Sequence, residues 1–151
     1  MLQATQSFMD TRTAAEKRIH EIICEKMVEF LEMEDYNWNS KVQSSQPSAY
    51  LLDLANYLRV IGSSSLTTLP PTMIPSIFRE SFDFFSKKLL AYFVGPQVKK
   101  ISFPFLSQLS ADLNFLTALI KDEYPYLLEE EIFLEMEQVR YISNNLVGFF
   151  Y

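Results

Sequence analysis

The chain is 151 residues long, the size of one compact domain. Hydrophobic residues at 48% supply a core, and 21% charged residues exclude global disorder. A net charge of −6 argues against sequence-independent nucleic-acid binding, which needs a basic face, and gives no general reason to sit on anionic lipid.

The first predicted helix runs from about Ser7 to Glu34. Ile19, Ile22, Ile23, Met27, Phe30 and Leu31 recur at three- and four-residue spacing, with Lys17, Glu21, Glu25, Glu29 and Glu32 opposite. Residues 37–47 then form a polar linker. Ser40, Ser44, Ser45 and Gln46 bury little and Pro47 closes the stretch, which reads as a hinge. The second helix opens at Pro47, suited to a first turn, or Ser48, suited to an N-cap. Leu51, Leu54, Leu58 and Ile61 form its stripe. Gly62 and Ser63-Ser64-Ser65 leave open whether it stops there or runs on to Leu66.

Pro70-Pro71 punctuates the chain. A third helix beginning between Pro71 and Pro75 carries Ile74, Phe78, Phe82, Phe85, Leu89 and Tyr92 until Gly95-Pro96 stops it. The fourth has the clearest start, with Ser102 as cap, Pro104 in the first turn, and Ile101 and Leu106 placed as a hydrophobic staple. Leu106, Leu109, Leu113, Leu116 and Ile120 form its stripe, and Tyr124-Pro125 ends it. The fifth opens with Glu129-Glu130-Glu131 against the positive end of the helix dipole and carries Leu128, Ile132, Met136, Val139, Ile142 and Leu146 on one side.

With 3 glycines the chain is short of the turn residues that sheets and barrels use. Short links set neighbouring helices antiparallel. The expected fold class is therefore all-α: an elongated antiparallel bundle of about five helices, a single module over residues 1–151. The aromatic end Phe149-Phe150-Tyr151 reads as a cut through a longer structure. Cys24 is the only cysteine, which fits a reducing compartment; no apolar stretch spans a bilayer, and the polar start lacks the core of a signal peptide. The chain reads as cytosolic.

Catalytic equipment is missing from the residue types. His20 is the only histidine; with Cys24 one turn away it makes two metal ligands at best, and the pair reads as a surface histidine beside a buried thiol. No glycine-framed serine, P-loop or dinucleotide fingerprint is present. Asp122-Glu123 and Glu129-Glu130-Glu131 lie at helix ends, where acidic runs are solvated or capping. Lys87-Lys88 and Lys99-Lys100 bracket the third loop and read as a solvated face. No enzyme activity, metal or cofactor is expected. Tyr57, Phe84 and Phe115 fall off the main stripes. Core is their default reading, and any one left exposed would suit a partner anchor.

Several segments taken in order resemble one family. They are Asp35-Tyr36-Asn37-Trp38; Pro47-Ser48-Ala49-Tyr50-Leu51-Leu52-Asp53-Leu54 followed by Tyr57-Leu58; Leu69-Pro70; and Val98-Lys99-Lys100-Ile101-Ser102 followed by Gln108 and Asp112. This succession resembles the carboxy-terminal region of the Sec-fifteen family of the exocyst, a vesicle-tethering complex. The resemblance implies a module of a rod-like helical subunit that brings secretory vesicles to the plasma membrane. It implies neighbouring exocyst subunits as partners, and a GTP-loaded Rab GTPase contacting the helix over Ser102–Lys121. It also carries a departure: where the family has Phe-Asn-Leu-Asp, this chain has Leu109-Ser110-Ala111-Asp112, and serine lacks the forked amide of asparagine.

Two readings follow. In the first the chain is a GTPase-binding module, with Gln108, Ser110, Asp112 and Asn114 as surface candidates on the fourth helix. In the second it is an architectural segment that packs only against other tether subunits.

Overall fold

A computed structural model of the chain describes residues 2–33, 45–96, 101–127 and 134–149. Helix α1 spans Leu2–Met33 and at about 1.5 Å per residue is roughly 48 Å long. Only its second half enters the core. Ile23, Met27 and Leu31 are buried at one-turn spacing, with Cys24 beside them, whereas residues 2–15 are all exposed. Leu2, Phe8 and Met9 are large apolar side chains in that exposed part.

Of the linker expected at residues 37–47, residues 37–44 lie outside the described residues; 45–47 are non-helical. Helix α2 spans Ala49–Val60 with Ser48 at its N-cap position, and buries Leu51, Leu54 and Leu58 as the stripe predicts. Its end resolves the question the serines posed. The hydrogen-bond register widens to a π-turn over Ile61–Ser65, then tightens to a 3-10 turn over Leu66–Thr68. Ser63 and Ser64 both donate to the Val60 carbonyl, so side chains compete for the acceptor that would continue the α-helix. Leu66, at the end of this irregular turn, is buried.

Helix α3 spans Met73–Phe93, with Pro75 inside its first turn. Phe78, Phe82, Phe85 and Leu89 are buried along one stripe, with Ile74 and Tyr92 partly buried at its edge. Helix α4 spans Phe103–Glu123 and starts as the sequence predicts: Ser102 Oγ accepts from the Phe105 amide at 3.3 Å, with Pro104 next to it. It ends at Tyr124, whose ring lies 5.0 Å from Phe78 and 5.3 Å from Phe82, locking the exit of α4 onto α3. A 3-10 turn, Pro125–Leu127, follows. The acidic run at Glu129-Glu130-Glu131 lies outside the described residues. Helix α5 is described over Leu134–Phe149, with Val139 buried and Ile142 partly buried.

The helices touch in a closed cycle: α1 against α2 and α3, α3 against α5, α5 against α4, and α4 back against α2. One apolar cluster, drawn from all five, fills the centre. The fold class is all-α, and among the described residues there is no strand. Tyr57 and Phe115 pack against the core from its rim, Tyr57 through the Phe30 ring at 5.9 Å. Phe84 does not join that cluster and lines an open groove between α1 and α3 instead.

Candidate partner-binding surface

Helix α4 carries all four candidate residues, and its geometry divides them. At 3.6 residues per turn, Gln108 and Asp112 lie within about 40° of each other, as do Ser110 and Asn114, but the pairs are roughly 200° apart. They therefore occupy opposite sides of the helix. The buried side holds Phe105, Leu106, Leu109, Leu113, Leu116 and Ile120, and Asp112 lies among them at 1% exposure. The expectation that Asp112 faces solvent is corrected here: it falls on the inward stripe, one residue before Leu113.

A buried carboxylate needs donors, and α2 supplies them. The Ser48 amide donates to Asp112 Oδ1 and the Ser48 hydroxyl to Oδ2, each at 2.6 Å. Ser48 thus occupies the N-cap position without capping its own helix, because its hydroxyl is turned to Asp112. Gln108 closes the group: its amide donates to Asp112 Oδ1 at 3.0 Å, to the Gln46 carbonyl at 2.8 Å and to Ser48 Oγ at 3.3 Å. Gln108 is half-buried and turned toward the chain segment that enters α2.

The other pair faces outward. Asn114 is exposed and Ser110 half-exposed. Asn114 Oδ1 accepts from Arg140 Nη1 of α5 at 2.7 Å. Arg140 also donates to Thr117 Oγ1 at 2.8 Å and to the Leu113 carbonyl at 3.3 Å, and lies 3.6 Å from Glu137. Sequence reasoning passed over Arg140, because nothing local marks a helical arginine that reaches across to a neighbouring helix. Tyr141, next to it, is 69% exposed and lines an open groove with Glu137, Gln138 and Ile142.

Among the described residues, the remaining sequence candidates do not assemble into a site. His20 Nε2 lies 3.2 Å from Cys24 Sγ, and His20 Nδ1 lies 4.0 Å from Glu80. Burial, with Glu80 adding to it against a hydrogen bond from Ser81, pushes the Cys24 thiol up to about 11, so it stays protonated near neutrality. Among the described residues no group of three His, Cys, Asp or Glu could hold a metal ion. Lys87 pairs with Asp83 at 2.7 Å and Lys88 sits 5.6 Å from the centre of the Phe84 ring. Lys99-Lys100 lie outside the described residues, as does Asp35-Tyr36-Asn37-Trp38. No helix among the described residues is long and apolar enough to cross a membrane.

The family model for the exocyst complex subunit Sec15 C-terminal region matches residues 1–145. The chain belongs to the Sec15 C-terminal family. It is 30% identical over 112 residues to Exocyst complex component 6 of Homo sapiens, covering 74% of this chain and 14% of that protein. It is 27% identical over 106 residues to Exocyst complex component 6 of Caenorhabditis elegans, covering 70% of this chain and 13% of that protein. It is 22% identical over 124 residues to Exocyst complex component SEC15 of Saccharomyces cerevisiae, covering 82% of this chain and 14% of that protein. The chain thus spans about one seventh of the length of these curated relatives. No solved structure matches it significantly.

Within the Sec15 family pattern, the geometry explains how Leu109-Ser110-Ala111-Asp112 is read. Leu109 and Asp112 are buried positions. Ser110, where the family resemblance has asparagine, is half-exposed, as is Ala111. The departures at Ser110 and Ala111 thus fall at half-exposed positions, that at Leu109 is buried, and the retained aspartate lies inside.

Proposed function

We propose that this chain is a module of an exocyst-type vesicle-tethering subunit that acts in exocytosis and binds a GTP-loaded Rab-family GTPase and neighbouring exocyst subunits. The observation that carries the reading is the match to the Sec15 C-terminal family over residues 1–145. The GTPase contact lies on the outward side of α4, at Ser110 and Asn114, where Arg140 braces the surface from α5. Gln108 and Asp112 serve that surface from beneath it. The protein works in the cytoplasm and reaches vesicles and plasma-membrane sites through its partners. Its task is recognition, with no reaction to catalyse.

Long packed helices suit the task because they hold an extended surface at fixed geometry. The test is a pull-down of the chain with a panel of Rab GTPases loaded with a non-hydrolysable GTP analogue or with GDP. Retention of at least one GTPase in the GTP form alone is expected. Equal binding to both forms, or to neither, overturns GTPase recognition by this module.

A second reading, purely architectural, is favoured by one feature: Leu2, Phe8 and Met9 are exposed along the first half of α1. There the chain packs only on other tether subunits. Crosslinks from both the start of α1 and the outer side of α4 to exocyst subunits, in an assembly free of GTPase, would select it.

A further inference from the structure

Asp112 is a charged side chain at 1% exposure, and Ser48, its partner, is at 7%. We propose that Asp112 and Ser48 form a latch that clamps the chain entering α2 onto α4, making Asp112 a positioning residue and not a contact residue for any partner. The inference rests on the reading of α4 as a partner-binding helix only for its consequence; the latch itself stands on geometry.

Both carboxylate oxygens are engaged by one residue, Oδ1 by the Ser48 amide and Oδ2 by the Ser48 hydroxyl, each at 2.6 Å. That two-point grip fixes direction as well as distance. Hydrogen bonds to an ionised acceptor are shorter and stronger than neutral ones, and the low surrounding polarity raises their strength further. The carboxylate also sits at the start of α2, where the helix dipole favours negative charge. Gln108, one turn earlier on α4, ties the Gln46 carbonyl and Ser48 Oγ into the same group. Residues 46–48 are therefore held to α4 at successive points, across a sequence separation of 60 to 64. At the other end of the pair Arg59 of α2 meets Glu123 of α4 at 2.6 Å, so the latch fixes the entry of α2 on α4 and that ion pair its exit. The outward residues Ser110 and Asn114 lie on the same rigid turns as Gln108 and Asp112. Loosening the latch shifts them without touching them.

The experiment uses the full chain with Asp112→Ala, Asp112→Asn, Ser48→Ala, the double variant Ser48→Ala/Asp112→Ala, and Asn114→Ala. Amide hydrogen exchange at residues 48–51 reports the latch, and binding to the Rab panel reports its consequence. Asp112→Ala should accelerate exchange at Ser48 by roughly tenfold or more, the loss expected when a buried partner is left unpaired. Asp112→Asn keeps an acceptor for the Ser48 amide and should restore most of the protection. The double variant should lose no more than the worse single one, since both remove one interaction. Asn114→Ala should leave this exchange unchanged. Additive losses in the double variant, or unchanged exchange at residues 48–51 in Asp112→Ala, overturn the latch. So does an Asp112→Asn variant that fully recovers exchange protection and still binds no GTPase that the parent chain binds, because Asp112 would then be a contact. Should Asp112→Ala fail to fold, Ser48→Ala and Asp112→Asn decide the matter alone. If the parent chain binds no GTPase, the GTPase reading falls by itself and the exchange measurements still judge the latch.

Discussion

Arg140 is the residue through which α5 grips α4. It is half-buried, and its guanidinium reaches Asn114, Thr117 and the Leu113 carbonyl. Arg140→Ala leaves those acceptors to water at the rim and is expected to cost about 1–2 kcal/mol in urea denaturation. The exposed Arg140–Glu137 pair is worth little, so Glu137→Gln should change the same midpoint by less than about 0.5 kcal/mol. Two buried acids of high pKa make stability fall in alkali. Burial pushes the Tyr124 phenol up to about 12, with the neighbouring Glu123 and Tyr126 adding to it, and pushes the Cys24 thiol up to about 11. In the unfolded chain both groups ionise earlier, from ordinary values of 10.0 and 9.0. Their contribution is therefore complete below pH 9 and is lost as pH rises toward 12. Denaturation midpoints measured across that range should decline, and Cys24→Ser should remove the earlier part of the decline.

Among the elements, helix ends were legible and helix partners were not. Ser102, Pro104 and Tyr124-Pro125 act on the backbone next to them, so α4 begins and ends where those residues stand. Ser102→Ala should cost about 1 kcal/mol, measurable by the same denaturation and visible as faster amide exchange at Phe105. The end of α2 was less readable, because the π-turn arises from serine hydroxyls competing with backbone amides, a balance that no single residue announces. Pairing of helices depends on contacts remote in sequence. The stripe on α1 says that one face is buried and not that α3 is one of the helices it meets. The candidate site shows the same division. The spacing of Ser110 and Asn114 places them on one outward side, and this could be computed from the Leu106–Ile120 stripe. Asp112 occupies an inward position in that stripe, whereas the family resemblance alone puts it among the surface candidates. The donors of Ser48, brought from a distant part of the chain, join Gln108 one turn away in making its burial tolerable.

For the molecule as a whole, the closed cycle of helix contacts makes every helix depend on two others. Removing α5 would open the cycle between α3 and α4, whereas residues 2–15 add no buried side chain to it and reach α3 at its N-cap through Arg12 and Thr72. Deleting residues 1–15 should leave the thermal midpoint of the bundle within about 2 °C of the parent, since the side chains of residues 2–15 are exposed. The exposed Phe8 and Met9 go with them, so the shortened chain should also self-associate less in sedimentation. The overhang has a consequence of its own. Residues 2–15 make about 21 Å of exposed helix ahead of the buried turns, a length at which an isolated peptide would hardly hold a helix in water. Here the costly first turn is already made at Ile23 and Met27, so each further residue only lengthens an existing spiral. The exposed turns are thus a spiral propagated from a fixed start, held by their own backbone hydrogen bonds and by what the buried turns have already set in place.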